Sequence, residues 1–386
     1  MKILHIDSEI RHSLGCAASL RMFGFDTTFI QLGNKNEPLR KRKVYTDCGS
    51  FDVNFAQIDV PMSLQRSLIY PQSFIPKEII DEKFDVIITT QSVAFHTALY
   101  IARKQGIPII LRLGNVRANK LIDHLIYGKN YLEIINLYPS IFHILLQIWD
   151  SRALIVLDDA TKSFLRKLPL FKKPNLIYPT YAALYGDNNY EKSYKIKEVI
   201  EKKPYIFSII TMSRTGSNFR LQEVPQFKIL YNIARKCPEI NIVVAGGTSS
   251  EARRKFGLSR IPENLIFAGW ISSDNVLKVL YDNASLVVFP IFFKSLSNRL
   301  LEALYYGKPI LTNTTAKLLH NKLEHLYHVF ISDNYIKYPN IVRKLLKTEA
   351  LLEELALGAK EAYRSFFSAR KSGLAMKHVI ESVTQT

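Results

Sequence analysis

Short apolar runs alternate with longer segments of helical spacing along most of the chain. Met1–Ile6, Thr27–Gln31, Asp85–Thr89, Pro108–Leu113 and Ala153–Leu157 read as buried strands, and Ala94–Gln105 carries the 3.6-residue period of a helix. Such alternation predicts a parallel sheet covered by helices on both faces. The alternation breaks across Lys172–Tyr205, where Pro174, Pro179, Gly186 and an Asp-Asn-Asn run mark a connection followed by a helix at Lys192–Glu201. It then restarts, with strands at Tyr205–Thr211, Asn241–Ala245, Asn264–Phe267, Leu286–Pro290 and Pro309–Thr312. Helices are expected at Pro225–Lys236, Ser273–Asn283 and Asn298–Tyr306. Two Rossmann-like halves therefore follow each other: residues 1–182, then residues 183–365. The tail Lys347–Val383 reads as helical throughout, and residues 366–386 are long enough to cross back and brace the first half.

Composition narrows the class. A chain of 386 residues exceeds one ordinary core, and 47% hydrophobic with 22% charged residues is a globular balance. Cys16, Cys48 and Cys237 lie far apart without a CxxC pair, which predicts a reducing compartment and no structural zinc. The opening run MKILHIDSEI is too short for a secretory leader and reads as a first strand. The longest apolar region, Leu132–Trp149, is interrupted by polar residues and does not read as a membrane-spanning helix. The net charge of +18 favours anionic partners such as nucleoside diphosphates, anionic lipid or nucleic acid. A solvated lysine-rich surface accounts for it equally. No nucleic-acid-binding motif accompanies the charge, so no specific nucleic-acid partner is expected.

Two segments carry candidate chemistry. In IFSIITMSRTGSNFR a strand ends at Thr211, and the loop with Gly216 bears Arg214 and Arg220. Ligands of open α/β sheets bind at the carboxyl ends of strands, where two arginines can grip a diphosphate; two solvated surface arginines is the plain alternative. In KSLSNRLLEALYYGKPILT, Ser297 and Asn298 suit a helix N-terminus and Gly307 suits its end. The free N–H groups of such a helix start suit phosphate. Glu302, placed in about the first turn, suits a ribose diol or simply compensates the helix dipole.

The order and spacing of these segments resemble the family-4 glycosyltransferases, retaining enzymes of the two-domain GT-B fold. The stretches are SIITMSRTGSNFR, IVVAGGTSS, NLIFAGWISSDNVLKVLYDNASLVVFP and KSLSNRLLEALYYGKPILT, covering roughly Ile206–Thr312. The resemblance implies two Rossmann-like domains facing each other across a cleft, with the donor held by the second. Carried over by position, Arg214 and Arg220 bind the donor diphosphate and act in catalysis, and Glu302 holds the ribose. Gly246 lies in the turn of the glycine-rich stretch. Backbone near Gly269–Ile271 faces the nucleobase, with Trp270 stacking there or serving as a core or interdomain aromatic. Ser297, Asn298 and Arg299 offer N–H groups to the distal phosphate.

The first half matches the family less closely, through FDVIITTQSVAFHTALYIARKQGIPIILRLGN. Asp7, Ser8 and the Ser13-Leu14-Gly15 loop, by the same resemblance, lie over donor phosphates and acceptor. Two departures stand out. Lys294 occupies the position of a glutamate that contacts the donor sugar, and Arg112–Gly114 occupies that of a histidine near the reacting centre. An arginine is no base at neutral pH, yet Arg112 or Asn115 can contact sugar or phosphate. His96, in a helical pattern, reads as an ordinary helix residue.

The implied activity is metal-independent transfer of a hexose from a nucleoside diphosphate sugar to a glycan or lipid-linked acceptor, with retention and with no cofactor beyond the nucleotide sugar itself. A non-catalytic GT-B sugar-nucleotide-binding or scaffolding partner is the alternative that Lys294 and the absent histidine motivate. The basic charge and the apolar residues of Leu121–Trp149 suggest a cytoplasmic protein in peripheral contact with an anionic membrane, at its inner surface. That segment packed in the first core is the other reading.

Overall fold

The computed structural model describes residues 1–7, 10–33, 36–60, 75–90, 93–113, 144–167, 173–184, 201, 204–213, 222–271, 273–292 and 298–385. Two compact units emerge: Met1–Ala183 together with Phe367–Thr386, and Leu184–Phe366. The helix expected at Lys192–Glu201 lies outside the described residues, apart from Glu201.

The first unit holds an eight-stranded sheet. Its strands are β1 (Lys2–Asp7), β2 (Asp26–Gly33), β3 (Glu37–Thr46), β4 (Gly49–Asp59), β5 (Val86–Thr90), β6 (Ile109–Leu113), β7 (Ala153–Val156) and β8 (Asn175–Leu176), in spatial order β3-β4-β2-β1-β5-β6-β7-β8. Every pairing is parallel except β3 with β4. The central strands are apolar on both faces because helices cover both, and Leu4, Ile6, Ile87, Leu111 and Leu154 meet there in one core. β3 is of another kind. Its sequence EPLRKRKVYT is largely exposed from Pro38 to Lys43 and carries no apolar run, as suits the edge of a sheet.

The second unit holds an all-parallel six-stranded sheet. Its strands are β9 (Tyr205–Ile209), β10 (Asn241–Ala245), β11 (Leu265–Gly269), β12 (Ala284–Val288), β13 (Ile310–Thr312) and β14 (Phe330–Ile331). Their order, β11-β10-β9-β12-β13-β14, is that of a doubly wound sheet. The chain moves outward from β9 to β11, then returns to lay β12 on the other side of β9. Ligand crevices of such sheets form at that reversal, outside the carboxyl ends of the two strands.

Two expectations need correction. Ser13, Leu14 and Gly15 lie inside the helix Ile10–Arg21, not in a loop. All three positions are buried, and the apolar face of that helix outweighs the loop propensity of serine and glycine. The tail is not one continuous helix. Glu349–Ala362 runs into a wider turn at Tyr363–Phe367, Ser368 adopts an extended conformation, and a new helix covers Ala369–Thr384. Ser368 accepts a hydrogen bond from the Lys371 amide as the cap of that last helix.

The last helix packs on Ile10–Arg21 within the first unit, and the Ala369 amide donates to Asp47 at 2.9 Å. Gly373 makes the approach of the two helices close: a β-carbon there would stand 2.7 Å from the Ser19 carbonyl oxygen and 2.8 Å from the Phe23 ring. Gly373→Ala is expected to destabilise the protein by about 1–3 kcal/mol, because backbone must give way. Denaturant unfolding of the variant checks this, and an unchanged midpoint would contradict it.

Candidate functional site

In the first unit, polar residues gather under the carboxyl ends of β1, β5 and β6. Arg112, near the end of β6, is 2% exposed. Its Nη1 donates to Ser13 Oγ at 2.7 Å and lies 3.2 Å from His5 Nε2 and 3.7 Å from Asp7 Oδ2. Ser13 in turn donates to Asp7, as does Thr90 at 2.9 Å. Burial, and next the charge of Arg112, hold the His5 imidazole well below its ordinary pKa, so it is neutral. The guanidinium of Arg112 is thus turned inward, binding strand β6 to the first helix. Gly15 has a packing reason of its own: a β-carbon there would stand 2.7 Å from the Thr180 carbonyl oxygen. Asn115 and Ser8 lie outside the described residues. His96 sits in the helix Val93–Gln105.

In the second unit the turns after β9, β10 and β11 are joined through backbone. The Met212 amide donates to the Gly246 carbonyl and the Gly246 amide to the Gly269 carbonyl, both at 2.8 Å. Gly246 has φ 98°, and a β-carbon there would stand 2.4 Å from the Ile210 carbonyl oxygen. Only glycine meets both demands. Trp270 follows this junction with 55% of its surface exposed, and Ile271 is half-buried.

Beside the junction lies a buried ion pair. Arg299, in the first turn of the helix Asn298–Tyr305, donates from Nη2 to Glu223 Oε1 at 2.7 Å and from Nη1 to Glu223 Oε2 at 3.1 Å. It also donates to Thr211 Oγ1 at 2.7 Å and Gln226 Oε1 at 3.2 Å, and lies 5.5 Å from the Phe289 ring centroid. Glu223 Oε2 accepts from the Thr211 amide at 3.0 Å. Gln222 donates to Gln226 and to the Pro290 carbonyl, both at 3.0 Å, and accepts from the Phe292 amide at 2.9 Å. The side chain of Arg299 is therefore committed to the protein, while Asn298, half-buried, opens the helix.

Glu302 is the fifth residue of that helix, so it stands in the second turn. It is 2% exposed and accepts from the Tyr281 hydroxyl at 3.3 Å. The Tyr281 ring stacks on Tyr306 and meets Phe207 edge-on, each at 4.8 Å. Gly307, at φ 61°, ends the helix as its sequence suggests. Arg214, Arg220, Lys294 and Ser297 lie outside the described residues. Among the described residues no group of three or more His, Cys, Asp or Glu side chains is placed to hold a metal ion. No helix among them is long and apolar enough to cross a membrane.

Residues 203–333 match the family model described as glycosyl transferases group 1. The chain resembles group 1 glycosyltransferases of GT-B fold. Three solved structures share its architecture from end to end. Sucrose-phosphate synthase from Thermosynechococcus elongatus has a TM-score of 0.66 at 11% identity, covering 100% of both chains. HepE of Anabaena, in complex with UDP and glucose, scores 0.64 at 13% identity, covering 99% of this chain and 100% of its own. A glycosyltransferase from Rickettsia africae scores 0.60 at 11% identity, covering 100% of this chain and 99% of its own. At these identities the likeness establishes the GT-B fold. No curated protein matches the chain by sequence.

Several residues of this GT-B chain escaped the sequence pattern. Thr211, Gln222, Glu223, Gln226 and Tyr281 carry no local signal, since the partners named here, the Gln222–Gln226 bond apart, lie 12 or more residues away. Asp158 is different, because an Asp before Asp-Ala-Thr is a recognisable helix cap. It stands just past β7 and accepts from the Thr161 amide at 2.7 Å and hydroxyl at 3.1 Å. Burial outweighs those bonds and raises its pKa from 3.8 to about 6.

A raised folded-state pKa means that the folded protein binds this proton more tightly than the unfolded chain. Stability from Asp158 is then full below its unfolded pKa and is lost as pH rises to about 6. Asp158→Asn keeps the cap and removes the titration. The variant is expected to lose less stability than wild type between pH 4 and 6, by roughly 2–3 kcal/mol. Parallel stability–pH curves from denaturant titrations would contradict this.

Proposed function

We propose that the chain is a retaining glycosyltransferase that moves a hexose from a nucleoside diphosphate sugar to a hydroxyl of a glycan or lipid-linked acceptor. One juxtaposition carries the reading. The segments that leave β9 and β12, the strands flanking the reversal of sheet order, both fall within the family match at 203–333. The first segment bears Arg214 and Arg220, and the second bears Lys294 and Ser297 and leads into the helix of Glu302. HepE of Anabaena in complex with UDP and glucose supports a nucleotide-sugar donor.

In this reading the barrier is cleavage of the anomeric C–O bond while charge gathers on the diphosphate. Arg214, Arg220 and the N–H groups at Ser297, Asn298 and Arg299 stabilise that charge where it develops. Glu302, steadied by the Tyr281 hydroxyl, accepts from the ribose diol, and Trp270 stacks on the base. The leaving phosphate takes the acceptor proton, so neither a protein base nor a metal is required. Lys294, in place of a sugar-contacting glutamate, favours a second reading, a sugar-nucleotide-binding partner without turnover.

Calorimetric titration with UDP-, GDP- and ADP-sugars tests the site. Arg220→Ala and Glu302→Ala are each expected to weaken the tightest donor about tenfold or more, the worth of a charge-assisted hydrogen bond. Affinities equal to wild type in both variants would refute the assignment. Turnover distinguishes the readings: transfer that persists in a chelator, with the donor's anomeric configuration kept in the product by NMR, supports the enzyme. Binding without transfer supports the partner.

The net charge of +18 supports an acceptor at an anionic membrane, as do Leu145, Leu146 and Trp149, exposed on the helical stretch 144–150. Flotation with anionic vesicles should carry the protein upward at low salt and release it at high salt. Protein left at the bottom of the gradient at low salt would exclude the membrane contact.

A further inference from the structure

We propose that Glu223 and Arg299 form a positioning clamp that holds the chain after β9 and the first turn of the helix Asn298–Tyr305 in one geometry. The proposal rests on the transferase reading for what this end of the unit binds, but the clamp itself is a matter of geometry. The pair joins residues from both elements. Thr211, two residues past the end of β9, gives its amide to Glu223 and receives Arg299 on its hydroxyl. Phe292, four residues past β12, gives its amide to Gln222, the neighbour of Glu223. Gln226 closes the circuit, since its Oε1 accepts from both Gln222 and Arg299. Its Nε2 donates to Ser208 Oγ at 2.9 Å and to the Ile209 carbonyl at 3.1 Å, which ties the circuit to β9.

The Glu223 side chain is 0% exposed and that of Arg299 11%. Two charges so buried hold each other in one geometry, because leaving either unpaired is costly. The planar fork of Arg299 fixes direction as well as distance. A single pair thereby fixes Thr211, past the end of β9, relative to the first turn of the helix that carries Glu302. Neither Glu223 nor Arg299 touches substrate through its side chain in this account. They act by setting others.

The test uses Glu223→Gln, which strands the arginine, and the double variant Glu223→Leu/Arg299→Met, which replaces the pair with apolar groups of similar volume. Two measurements are made on each. Binding of UDP, GDP and ADP is followed by calorimetry, and amide exchange at Thr211 and Phe292 is followed without nucleotide. The clamp predicts that a double variant with wild-type thermal midpoint binds the preferred nucleotide about tenfold to a hundredfold more weakly. It also predicts faster exchange at both amides together. Arg299→Lys, which keeps the charge and loses the fork, is expected to fall between and replaces any variant without a cooperative transition. Wild-type affinity in a folded double variant, or exchange unchanged at either amide, overturns the clamp. Wild-type protein that binds none of the three nucleotides refutes the transferase reading instead, and the exchange measurement still decides the clamp.

Discussion

An ion pair taken out of water is a burden unless its geometry is good and its remaining hydrogen-bonding atoms are satisfied. The Glu223–Arg299 pair meets that condition with a two-point fork, the Thr211 amide and hydroxyl, and Gln226. The rest of the second unit's binding end depends on it. β9, β12 and the helices that follow them converge there, and each contributes a residue or a neighbour to the network. Without the pair those four elements would still share a core and the glutamine bonds to Pro290, Phe292 and Ser208, but Thr211 would lose its link to the helix of Arg299.

The first unit meets the same problem with other residues. Under the ends of β1 and β6, Arg112 faces Asp7 across 3.7 Å, with Ser13 bridging them and a neutral His5 alongside. Parallel sheets make such arrangements natural. Strand ends are where the backbone stops pairing with its neighbours, so polar side chains there find partners that the apolar middle of the sheet cannot offer. In both units the arginine comes from one element and the carboxylate from another. Each pair therefore fixes elements that local sequence leaves independent.

Glycine sets the remaining geometry at the binding end. Gly246 combines a left-handed backbone with contact against Ile210, and this lets the turns after β9, β10 and β11 join through amide–carbonyl bonds. The exposure of Trp270 follows from its place just beyond that junction, where the chain has left the sheet.

The sequence by itself determined the α/β class, two successive Rossmann-like halves and most of the buried strands, because a strand covered on both faces must be apolar throughout. The order of motifs also marked Ile206–Arg220 and Lys294–Thr312 as the candidate segments. β3 stayed hidden because a charged edge strand answers to solvent rather than to a core, and β8 and β14 because two residues make no pattern. The helix at Ser13–Gly15 was hidden by residues whose local preference is for loops. Only the tertiary structure decided that Arg112 and Arg299 turn inward. Their carboxylate partners lie 105 and 76 residues away in sequence, and pairing across such distances is set by packing, which no local periodicity records.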